Sequence, residues 1–91
     1  MDTLKAKPQT AKLTITSNPY VGFTPFGYQP FVNVKKIDNE EEYKINISPR
    51  SLANELNKLF EENNNKWIDL KFSFAKESSD PKSKYVIEKI E

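Results

Sequence analysis

The chain contains no cysteine and no histidine. The first absence excludes disulfides and thiolate metal sites, and with them the disulfide-stapled plan of many small secreted domains. The second removes the commonest general base and the commonest zinc ligand, so a metal could be held only by carboxylates. No stretch approaches the roughly 18 apolar residues of a membrane span. Residues 1–9, with Asp2, Lys5, Lys7 and Pro8, do not read as a signal peptide. A soluble, cytoplasmic protein is expected. Glycine is scarce, with two residues, and neither belongs to a phosphate-cradling loop. Ser48, Ser51 and Ser78 have no histidine to activate them. The expectation is therefore a protein that is not an enzyme and carries no cofactor.

What the chain does have is 91 residues, enough for one core and too few for two. Hydrophobic residues make up 36% and charged residues 30%, so the eleven aromatics must be placed economically. The net charge is only +1, but it is unevenly spread. Residues 1–36 hold five lysines against Asp2, net +4; residues 37–62 hold three basic and seven acidic groups, net −4; residues 63–91 hold six and five, net +1. A locally basic surface is compatible with that distribution.

Residues 1–11 read as a polar, frayed N-terminal tail and residues 12–91 as a single domain. The alternation Lys12, Leu13, Thr14, Ile15, Thr16 marks a first strand with Leu13 and Ile15 inward. Residues 18–30 hold three of the six prolines and both glycines, which predicts a long loop, with at most a ragged hairpin in it. Residues 31–37 predict a second strand, and residues 42–47, with Tyr43, Ile45 and Ile47 alternating, a third. Ser48-Pro49 reads as a helix start, with serine as the capping residue. Leu52, Leu56, Leu59 and Phe60 then form one apolar stripe of a helix that ends in Asn63-Asn64-Asn65. A fourth strand is expected from Lys66 to about Ala75, and a fifth from Lys84 to Ile90. In the fifth strand Tyr85 and Ile87 compete with Val86 and Ile90 for the inward face.

Three strands, one helix and two strands is the order of a five-stranded OB-like barrel, mostly β, with the α-helix between strands three and four. The segment 43–74, in which a strand runs into a Ser-Pro helix start, an LxxxLxxLF helix and a WIxLKF strand, resembles small OB-fold single-stranded-DNA-binding proteins of phage, viral and archaeal kind. The likeness is one of layout across residues 12–90. Asp69 departs from it, standing where such domains often carry glycine at a bend. The resemblance implies single-stranded DNA, or else RNA, as partner, and a role in DNA replication or repair.

Five aromatics, Tyr20, Phe23, Phe26, Tyr28 and Phe31, fall within twelve residues, where an OB barrel would meet its ligand. Unpaired bases stack on such rings with little regard to identity. Asn33, Lys35, Lys44 and Asn46 on strands two and three, Lys71 on strand four, and Lys82 and Lys84 in the last turn complete a candidate nucleic-acid surface, with the lysines neutralising phosphates. The competing reading folds the loop aromatics back as a small core of their own. Trp67 is expected to cover the helix or a barrel end. The acidic run Asp38, Glu40, Glu41, Glu42 has no calcium-loop spacing and reads as a solvated turn. An alternative function on the same fold is a protein-interaction or self-association domain anchored by Tyr20, Phe23, Phe26 and Tyr28.

Overall fold

The computed structural model describes residues 1–90; Glu91, the last position of the domain expected over residues 12–91, lies outside them. The elements are β1 (Ala11–Ile15), β2 (Tyr20–Thr24), β3 (Gly27–Lys36), β4 (Glu42–Asn46), α1 (Arg50–Glu62), β5 (Lys71–Lys76) and β6 (Tyr85–Lys89). They form one antiparallel six-stranded sheet and a single helix. The five-stranded closed barrel expected from the element order is not formed. The sheet stays open, because β4 pairs only with β3 among the strands, and β6 only with β5.

The sixth strand comes from the proline-rich segment. β1 and β2 lie along the same edge of β3 as one long bent strand, with Ile15 opposite Val34 and Tyr20 opposite Phe31. Between those pairs four residues, 16–19, face two, Val32 and Asn33, so the strand bulges by two residues. The Ser17 hydroxyl fills the gap by accepting from the Asn33 N–H at 3.0 Å. Proline is tolerated in the middle of β3 because a strand residue turns its N–H and C=O to the same neighbour. Pro30 turns toward β4 just where β4 has ended, and its carbonyl still accepts from the Ile47 N–H at 3.0 Å. Gly27, at φ +105°, makes the reversal that joins β2 to β3.

The core is the inward face of this sheet closed by α1. Leu13, Ile15, Val32, Val34, Ile45, Leu70, Phe72 and Phe74 pack with Leu52, Leu56 and Leu59 of the helix in one cluster. The helix stripe is therefore as expected, but its start is one residue later. Pro49, not Ser48, is the capping residue, and no side chain bonds to the first turn. At the other end Asn64 and Asn65 adopt left-handed φ values of 58° and 56°. Trp67 stacks on Phe60 at 4.6 Å between ring centres, sealing the end of the helix.

The fourth predicted strand begins late, since residues 66–70 form a turn and pairing with β1 starts at Lys71. Asp69 sits in that turn at φ 72°, the left-handed conformation glycine would take more cheaply, and Ile68 is left exposed. In β6, Tyr85 and Ile87 pack on the core while Val86 faces out.

The N-terminal segment is not frayed. The Leu4 N–H donates to the Lys44 carbonyl, the Lys44 N–H to the Asp2 carbonyl, and the Lys76 N–H to the Lys7 carbonyl. Residues 2–7 thus bridge β4 and the β5–β6 hairpin, with Leu4 and Ala6 against the core. Among the described residues no helix is long and apolar enough to cross a membrane.

Candidate nucleic-acid interface

Because side chains alternate across a strand and paired residues share a face, the register decides which candidates lie together. On the outer face, opposite the helix, Lys44 lies beside Asn33, Asn46 beside Phe31, and Phe31 beside Tyr20. One row crosses four strands as Glu42, Lys35, Thr14 and Lys71. The next places Lys12 beside Ser73 and Glu88. So Tyr20, Phe31, Asn33, Lys35, Lys44, Asn46 and Lys71 share one face that no helix covers.

Phe31, expected to be open for stacking, is buried, with 3% of its surface exposed. Three neighbours seal it. The Tyr20 ring stacks on it at 6.1 Å, the Lys44 ammonium sits 4.9 Å from its centre, and its edge occupies the space above Gly22. A Cβ on Gly22 would come within 2.7 Å of the ring. Tyr20 stays partly open at 38%, its hydroxyl donating to the Asn33 side-chain oxygen Oδ1. Asn46 donates to Gln29 on the same face. These bonds hold both amides in fixed orientations beside the lysines.

The other rings go elsewhere. Phe23 and Tyr28 are cross-strand partners on the opposite face of the β2–β3 hairpin, edge to face at 5.3 Å, and Phe26 stands at its tip. All three are open, at 75%, 76% and 90% exposure, so they form no mini-core. They also lie away from the lysines. Lys82 and Lys84 do not join the outer face either. The turn that carries Lys82 lies against the start of α1, its backbone N–H held by the Asp80 carboxylate at 2.9 Å. Lys84 shares a shallow depression with Ser51, Asn54, Glu55 and Lys58 of the helix.

Sequence reasoning missed a basic cleft. Lys5, Lys7, Lys12 and Lys36 line an opening of about 440 Å³ whose floor includes Leu4, Ala11 and Phe74. Lys12 belongs both to this cleft and to the outer face, so the two basic surfaces meet at β1. The signal was the net charge of residues 1–36, whose lysines the docked N-terminal segment gathers around β1.

The acidic run lies at the exposed β3–β4 turn, where Glu40 adopts φ 60° and approaches Lys35 at 3.9 Å. Tyr43 donates to the Glu41 carboxylate at 2.6 Å, and that bond, with minor help from burial and the charges of Glu41 and Asp2, raises its phenol above the ordinary value. Comparison of the chain with protein-family models, curated proteins and solved structures finds no match.

Proposed function

We infer that this chain is an OB-like module that binds single-stranded nucleic acid, DNA before RNA, with little sequence preference. The observation that carries this reading is the helix-free outer face, on which Lys12, Lys35, Lys44 and Lys71 stand with Tyr20, Asn33 and Asn46. Among the described residues Glu42 and Glu88 stand on the same face, and Glu40 reaches Lys35 from the β3–β4 turn at 3.9 Å. The OB-like description is supported by β1 pairing on one side with β3 and on the other with β5, and by the helix between β4 and β5. The N-terminal segment spans the seam that strand closure would otherwise fill.

A strand laid along this face would exchange condensed counterions for lysine ammonium groups. Four phosphate contacts on a single strand give a slope of log K against log[salt] of about −3. Tyr20 offers one partly open ring, and stacking a base there contributes roughly 1–3 kcal/mol whatever the base. Asn33 and Asn46 carry amide groups that can meet base edges without selecting one sequence.

The test is a fluorescence-anisotropy titration with labelled oligo-dT at low and at raised salt. Binding that weakens with salt, and that is lost when Lys12, Lys35, Lys44 and Lys71 are all changed to alanine, supports the reading. Absence of binding tighter than about 10⁻⁴ M at low salt sinks it.

A further inference from the structure

Residues 13–34 contain no charged side chain, in a protein where three residues in ten are charged. Residues 20–34 of that run belong to the β2–β3 hairpin, which exposes Tyr20 at 38%, Val21 at 68%, Phe23 at 75%, Phe26 at 90% and Tyr28 at 76%. Val21 and Phe23 face the same way as their partners Pro30 and Tyr28, making one apolar face.

The hairpin also has a free edge. β2 ends the strand order and pairs only with β3. The N-terminal segment bonds to β4, and β6, the other end of the strand order, has α1 beside it and carries Glu88 and Lys89. Sheet edges open to solvent are normally guarded by lysine, proline or a cover. β2, with sequence YVGFT, has none of these within it.

The direction of its backbone groups follows from the ladder. The Asn33 carbonyl accepts from the Thr16 N–H, so Asn33, Phe31 and Gln29 turn toward the β1–β2 strand. Their partners Tyr20 and Gly22 turn inward to meet them. Val21 and Phe23 therefore present their N–H and C=O groups outward.

We propose that β2 pairs antiparallel with β2 of a second copy about a two-fold axis at Gly22. The segment is complementary to itself in that register. Val21 of each copy meets Phe23 of the other as a hydrogen-bonded pair, using all four outward N–H and C=O groups of each strand. Gly22 meets Gly22 at the narrower non-bonded position, where the absence of a side chain suits close approach.

No ion has to be desolvated. With a fully open aromatic side chain worth about 150–250 Å², the five exposed residues offer roughly 600 Å² per copy. Two copies together supply at most about 1,200 Å², the lower end for a specific interface, so a weak, concentration-dependent dimer follows. Paired residues share a face, so the lysine-bearing surfaces of the two copies would lie on the same side of one continuous sheet. The pairing itself does not depend on what that surface binds.

Sedimentation equilibrium of the full chain from micromolar to submillimolar concentration tests the proposal. The mass of two chains is expected at the upper end, falling to one on dilution. Val21→Lys, which sets a like charge on each edge, should raise the dimer dissociation constant at least about 100-fold and leave the circular dichroism spectrum unchanged; Asn57→Ala, on the helix, should alter neither the dissociation constant nor the spectrum. Amide exchange at Val21 and Phe23 should slow as concentration rises. A single-chain mass throughout, a mass that grows beyond two, or concentration-independent exchange at those amides overturns it. So does a Val21→Lys protein that loses oligo-dT binding while the wild type sediments as one chain, since the arm would then be a surface for bases.

Discussion

The outer face of β1, β3, β4 and β5 and the β2–β3 arm share strand β3, yet they use opposite chemistry. The face carries Lys12, Lys35, Lys44 and Lys71, and it keeps its large ring, Phe31, sealed. The arm carries no charge and leaves Phe23, Phe26 and Tyr28 in water. An exposed ring stabilises nothing until something covers it, whereas a sealed one holds its neighbours in place. On the proposed reading the two regions meet different partners, a polyanion at the face and another apolar strand at the arm.

Phe31 is the joint between them, and replacing it gives the largest expected effect. It stacks with Tyr20 of the arm, lies under the Lys44 ammonium and fills the space a side chain at Gly22 would need. Phe31→Ala should cost about 3–5 kcal/mol in urea unfolding, the range of a buried aromatic truncation. Phe26→Ala, at the open tip, should stay within about 0.5 kcal/mol. Equal losses for the two would erase the distinction between a sealed and an open ring.

Gly22→Ala tests the same joint from the other strand. The new methyl would meet the Phe31 ring at 2.7–2.8 Å, and the ring is held from the far side by Tyr20 and Lys44. A destabilisation of about 1–3 kcal/mol is expected from overpacking. A neutral result would mean that the ring swings free, and Phe31 would then return to the set of open aromatics.

That joint also explains which features were legible in the residues. Period-two alternation located β1, β4 and most of β3, and the leucine stripe located α1, because both signals report burial on one side of a regular element. The alternation could not tell that Phe31, on the outward phase, would be buried, since a glycine nine residues earlier on the paired strand leaves it room and Tyr20 and Lys44 cover it. Three prolines hid β2. Pro19 precedes the strand, Pro25 lies in the turn and Pro30 points where β4 has already stopped, so none removes a donor the ladder needs. The N-terminal segment looked like a tail because only Leu4 and Ala6 reach the core and the rest of its docking is backbone bonds to Lys44 and Lys76, which leave no mark on composition. Of the proposed surface, the strand lysines and asparagines were legible from phase. Lys12 was not singled out, although Leu13 and Ile15 pointing inward force it outward. Lys82 and Lys84 were assigned by loop position alone, and the loop turned toward the helix.

The smallest effect expected is the one that separates the two regions most cleanly. Lys71 is exposed, lies across β1 from Lys35 and makes no ion pair among the described residues. Lys71→Ala should therefore leave stability within about 0.5 kcal/mol. If it contacts one phosphate, the slope of log K against log[salt] for oligo-dT should fall by about 0.7, the value for one contact on a single strand. Phe26→Ala, measured alongside, should leave that slope untouched, because a ring releases no counterion. A slope that moves with Phe26 and not with Lys71 would transfer the binding surface from the sheet face to the arm, and the division between the two regions would have to be drawn the other way round.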